Sequence, residues 1–108
     1  MEYVVGDTTL LKVTCEEDGA AIDVSSANLT AYLRWSLNGA ASGTPEAMSE
    51  PGGGTDGIVQ YRWKSTDLSA AGTIEFEVYI VDNLGDGDAS NDLTYTSQTI
   101  TRDIRAKL

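Results

Sequence analysis

The sequence predicts an all-β chain: an antiparallel two-sheet sandwich of about six to eight strands. Three observations predict it. Ile74, Phe76, Val78 and Ile80 alternate with Thr73, Glu75, Glu77 and Tyr79. That period of two is the mark of a half-buried strand in an antiparallel sheet. A second run repeats it: Ala27, Leu29, Ala31, Leu33, Trp35 and Leu37 alternate with Asn28, Thr30, Tyr32, Arg34 and Ser36. Read as a helix, the same residues spread around every face. Finally, clusters of Gly, Asp, Asn and Ser separate the strand-like runs, and helical periodicity is nearly absent.

The elements follow in order. Tyr3 to Val5 is a first short strand, stopped by Gly6-Asp7. Thr8 to Cys15 is the second; Leu11, Val13 and Cys15 share a face with Thr9, and Leu10 breaks the alternation as cover for an edge or an interface. Glu16-Glu17-Asp18-Gly19 reads as a hairpin turn, because glycine accepts a positive φ without steric cost. Ile22 to Val24 is a short apolar patch ended by Ser25-Ser26. The strand from Ala27 to Leu37 is the central core strand, with six inward positions free of polar groups.

Asn38 to Asp56 differs in kind. It holds Gly39, Gly43, Pro45, Pro51 and Gly52-Gly53-Gly54, and reads as a long, polar, conformationally free loop. Such a loop is either a solvated connection between sheets or a segment that orders on a neighbour. Gly57 to Lys64 is another strand, with Val59, Tyr61 and Trp63 inward. Ser65 to Gly72 turns into the long strand ending at Val81. An acidic loop spans Asp82 to Asp92, and a last strand runs from Leu93 towards Ile104 with a break near Thr96-Ser97. No internal repeat or boundary divides residues 1–108, so the expectation is one domain of immunoglobulin-like size with a long Gly/Pro-rich loop at 38–56. No Cys…Trp…Cys spacing marks an antibody-type domain.

Composition excludes several classes of function. The chain has 108 residues, a net charge of −10 and 41% hydrophobic residues. That charge repels phosphate backbones and anionic membrane surfaces, so neither nucleic acid nor membrane is an expected partner. There is no histidine, which removes the usual general base and the usual transition-metal ligand. Cys15 stands alone, so no internal disulfide forms, and it reads as a small buried hydrophobe. Met1 to Asp7 lacks a basic stretch followed by an apolar run, and no apolar run approaches the roughly 20 residues that span a bilayer. The expectation is a soluble product of a cytosol.

Three groups of residues invite chemistry. Asp86, Asp88, Ser90 and Asp92 recur at every second position, and calcium prefers several oxygen ligands on a flexible loop. Asp86, Asp88 and Asp92 are therefore calcium candidates. The EF-hand pattern fails, since Leu84 stands third from Asp82 and no glutamate closes the loop. The competing reading is an Asx-rich turn. Tyr32 and Tyr79 lie on polar faces and offer either a carbohydrate platform or cross-strand packing; Trp35 and Trp63 fall on apolar faces as core residues. Glu75 and Glu77 lie roughly 7 Å apart on one strand face. They lack the enclosed cleft that paired-carboxylate glycosidases need. Asn28-Leu29-Thr30 matches a glycosylation sequon but lies inside a predicted strand. Together these give a non-enzymatic chain without cofactor or small-molecule substrate, the alternative being a calcium- or carbohydrate-binding module.

The punctuation carries a resemblance. Gly6-Asp7-Thr8 precedes a strand; Asp18-Gly19 leads to Ile22-Asp23-Val24; Gly57-Ile58-Val59-Gln60-Tyr61 forms a strand; Asp67 and Gly72 bracket a turn into Phe76-Glu77-Val78. This order resembles the N-terminal domain of phage baseplate upper proteins and related immunoglobulin-like tail and virion domains. The resemblance implies a structural subunit of a bacteriophage particle (tail, baseplate, neck or capsid decoration), assembled in the host cytoplasm. Its implied partners are other virion proteins and further copies of itself. The expected contact surfaces are the Asn38–Asp56 loop, the N-terminal strand and the C-terminal tail.

Overall fold

A computed structural model describes residues 2–108. Among them are eleven strands: β1 (Tyr3–Val4), β2 (Leu10–Thr14), β3 (Glu16–Glu17), β4 (Ala20–Ala21), β5 (Leu29–Leu37), β6 (Ala40–Ala41), β7 (Glu46–Ala47), β8 (Ile58–Arg62), β9 (Gly72–Asp82), β10 (Leu93–Thr96) and β11 (Ile100–Arg105). The described residues form no α-helix, and a single 3-10 turn lies at Ala89–Asn91. The count exceeds the expected six to eight because β3, β4, β6 and β7 are two-residue pieces at strand ends.

The larger sheet has seven strands in the order β1-β11-β9-β5-β6, with β10 also on β9 and β7 also on β5. Its spine is the antiparallel β5–β9 pair, from Leu29 opposite Asp82 to Leu37 opposite Ile74. These are the two runs with the strictest alternation. Ala31, Leu33, Ile74, Phe76, Val78 and Ile80 are buried on one face, as the period requires. Ala27 departs from the expected strand: it lies exposed in a turn where the Leu29 N–H donates to the Ser26 carbonyl and the Asn28 N–H to the Ser26 hydroxyl. Side-chain competition for the backbone ends the strand there.

A smaller sheet pairs β2 with β8, antiparallel, placing Leu11 opposite Tyr61 and Val13 opposite Val59. Between the two sheets, Trp63 meets Phe76 with ring centroids 5.9 Å apart and Trp35 at 5.3 Å, both edge-on. This shared core is compatible with a β-sandwich. β3 and β4 form a hairpin over Asp18-Gly19, both at positive φ (52° and 81°), as the twist of a two-residue hairpin demands.

Three expectations need correction. The sheets are mixed rather than wholly antiparallel: β1 runs parallel to β11, with Tyr3 opposite Ile104. The Val5 N–H donates to the Arg105 carbonyl, and the Tyr3 ring packs 5.9 Å from Trp63, which holds the chain in that direction. The second strand is shorter than Thr8 to Cys15, spanning Leu10–Thr14. The segment Asn38–Asp56 is not a free loop. It contains β6 and β7, buries Met48, and crosses between sheets: Glu46–Ala47 pairs with β5, while Ser49 bridges Gln60 of β8. Main-chain bonds from the Met48 N–H to Ala31 and between Ser49 and Gln60 fix the crossing.

Two glycines are required by close approach. Gly57 has φ +75°, and a Cβ there would sit 2.8 Å from the Cys15 carbonyl oxygen and 2.9 Å from that of Ile22. At Gly72, φ +135°, a Cβ would collide with the Asn38 amide, whose Oδ1 accepts from the Thr73 N–H and whose Nδ2 donates to the Ala71 carbonyl.

Candidate interaction surface

β9 is long enough to hold two successive strands on one side. β11 pairs from Ile100 opposite Phe76, and β10 from Thr96 opposite Tyr79. Three residues lie between Thr96 and Ile100 but only two between Phe76 and Tyr79, so one extra residue forms a bulge. Ser97 anchors it: its N–H donates to the Val78 carbonyl, and its hydroxyl accepts from the Val78 N–H. This is the break expected near Thr96-Ser97.

The bulge separates two environments along one edge. β1 covers β11, and Ile104 is 3% exposed. Nothing among the described residues pairs with the outer edge of β10. Tyr95 lies opposite Ile80, on the core-facing side, yet it is 53% exposed, and Leu93 is 42% exposed. The free edge of β2 lies across from it. Between them runs a groove of about 590 Å³, walled by Val13, Thr14, Tyr95 and Thr96 and floored by Ile22, Val78 and Ile80. Cys15 lines the same groove; it is mostly buried, and burial pushes its thiol pKa up.

The acidic loop leads from β9 into β10. Asp86 accepts from the Asp88 N–H and, through Oδ2, from Asn91 Nδ2 at 2.8 Å. Asp88 accepts from both the N–H and the hydroxyl of Ser90. These bonds hold both carboxyls below their ordinary pKa. Asp82 and Asn83 likewise cap Leu84 and Gly85. The geometry is a chain of Asx turns. Asp86, Asp88 and Asp92 lie on one loop, but among the described residues no group of three Asp, Glu, His or Cys side chains is arranged to hold a metal.

The remaining candidates sit elsewhere. Tyr32 and Tyr79 face each other across β5 and β9, stacked at 5.3 Å and 23°. Arg34 lies over the Tyr79 ring at 4.5 Å and pairs with Glu77. The tyrosine faces are thus turned on each other and on a guanidinium. Glu75 is exposed on the same side of β9 as Glu77. Trp63 is fully buried and Trp35 partly so, both in the core. Of the expected contact surfaces, the N-terminal strand gives Tyr3 to the core, where its hydroxyl accepts from Trp63 Nε1 at 3.2 Å. The C-terminal Leu108 is fully exposed.

The groove between β2 and β10 was missed in the sequence. Its signal was the apolar pair Leu93 and Tyr95 in phase with Ile80, lying beyond the reach of a covering strand. No helix among the described residues is long and apolar enough to cross a membrane. Neither protein-family models nor curated proteins yield a match to this chain.

Proposed function

We propose that this chain is a non-enzymatic structural module of a bacteriophage particle that works by protein–protein assembly, on an immunoglobulin-like two-sheet sandwich. The strand order supports the fold. In such sandwiches strands C, F and G form one sheet and B, E and D the other. Here β5, β9 and the β10–β11 column take the places of the first set. β2, β8 and the bridge at Ser49 take those of the second.

The observation that carries the assembly reading is the bare main chain along β2 and β10, beside an apolar groove. Unpaired strand edges are templates for pairing with another chain. The virion reading is supported by the resemblance in the turn motifs, whose Gly57 and Gly72 occupy positions that reject a side chain.

Light scattering and sedimentation with phage particles test the proposal. The expected result is uptake of the purified chain by particles lacking it, or self-association into a defined multimer. Capsid or tail genes in the neighbouring reading frames are expected as well. A strict monomer with no affinity for such particles contradicts the reading.

A further inference from the structure

We infer that the groove between β2 and β10 receives an extended basic segment of a partner protein as an added β-strand. The inference rests on the assembly reading and names the chemistry of the partner.

Main-chain direction comes first. The Cys15 N–H donates to Gly57 and the Trp63 N–H to Thr9, so odd-numbered residues of β2 face β8. By alternation, the main-chain groups of Lys12 and Thr14 point away from it. On β10 the Ser97 N–H donates to Val78, so Thr94 and Thr96 point away from β9. Both sets of amides lie on edges that no described strand occupies.

The vacancy continues an existing row. β1 already lies along β11 as an added strand, and β10 extends the same edge beyond the bulge. A segment placed there would carry on the row that β1 begins. Its alternate side chains would enter the groove over Val78 and Ile80.

Charge selects the occupant. Glu16, Glu17 and Asp18 follow β2, and Asp86, Asp88 and Asp92 precede β10. Of these, Glu16 lines the groove itself, and the carbonyl of Asn28, at the end of the connection out of the β3–β4 hairpin, accepts from the Asn83 N–H at the start of the acidic loop. None of these six carboxylates is in an ion pair among the described residues. A second copy would bring another net charge of −10 to the groove, which opposes self-pairing. A segment alternating apolar with Lys or Arg residues matches the apolar floor, Glu16 at the groove and the chain's net charge of −10.

The test titrates the intact chain with a short peptide of alternating valine and lysine, read by amide hydrogen exchange in nuclear magnetic resonance. The expected result is saturable binding that slows exchange at Lys12, Thr14, Thr94 or Thr96 and weakens with added salt. Replacing the peptide's lysines by glutamates should abolish it. The Thr96→Pro variant removes an outward amide and should bind the lysine peptide about tenfold more weakly. The exchange readout on the unaltered chain stands even if that variant misfolds. Absence of binding, binding that leaves those amides unprotected, or equal binding of the glutamate peptide overturns the inference. So does concentration-dependent protection of the same amides without peptide, which would identify a second copy as the occupant. Any of these results leaves particle uptake and reading-frame context to judge the assembly reading separately.

Discussion

The two ends of the β10–β11 edge face the same core and differ in what covers them. At the β11 end, β1 lies alongside, Tyr3 packs edge-on against Trp63, and Trp63 is fully buried against Phe76. At the β10 end, Tyr95 occupies the equivalent core-facing side and stays 53% exposed. Inward direction alone does not bury a side chain; a neighbouring strand must close the edge. The closed end supplies stability, and the open end leaves a strand edge and apolar surface uncovered.

Substitutions at the two ends should break this symmetry. Trp63→Ala is expected to cost about 3–5 kcal/mol, because it empties the contact between sheets and leaves the Tyr3 hydroxyl without its donor. Urea unfolding measures it, and the variant should be largely unfolded if the domain is marginal. Gly57→Ala comes next, at roughly 2–3 kcal/mol, since it forces a Cβ against two carbonyl oxygens at positive φ. A small loss there would mean that β2 and β8 are not held at that spacing.

Asp67 ties the closed end together. It accepts from the Tyr61 hydroxyl at 2.7 Å and from the Lys64 N–H at 2.8 Å. Asp67→Ala should cost about 1–3 kcal/mol. Burial, then the hydrogen bond to Asp67, then the charges of Asp67 and Glu46 push the Tyr61 phenol pKa up. An unfolded phenol loses its proton near pH ~10, whereas the folded one retains it. The stability from this group is therefore full below about pH 10 and is lost as the pH rises further. Tyr61→Phe should flatten that alkaline decline in a urea-midpoint profile.

The open end should barely respond. Tyr95→Ser is expected to change stability by less than about 0.5 kcal/mol, since more than half of the ring already faces water. At the acidic loop, the hydrogen bonds that occupy Asp86 and Asp88 predict no heat on titration with millimolar calcium. Measurable heat there would favour the calcium-binding alternative.

How much was legible divides along the same line. Strict alternation in Ile74 to Ile80 and Leu29 to Leu37 placed the core strands, because every second residue is buried in the first and, in the second, is either buried or packed partly buried against the core. Asp18-Gly19 gave its hairpin through local backbone preference. The crossing at 46–49 was hidden because two-residue pairings leave no period to read. The bulge after Thr96 was visible only as an irregularity; its shift of phase from Tyr95 to Ile100 depends on pairing with β9. The groove was illegible because it is defined by a missing neighbour, a property of topology rather than of any residue type. The resemblance in the turns spoke to backbone geometry at Gly57 and Gly72, not to the uncovered groove.

Hydrogen exchange on the free chain tests the difference between the two ends most directly. The amides of Val78 and Ile80, which face β10, should be protected, while those of Thr94 and Thr96 exchange at rates close to those of an unstructured chain. Protection of Thr94 and Thr96 in the isolated, dilute protein would mean that the edge is already covered, and would contradict the account.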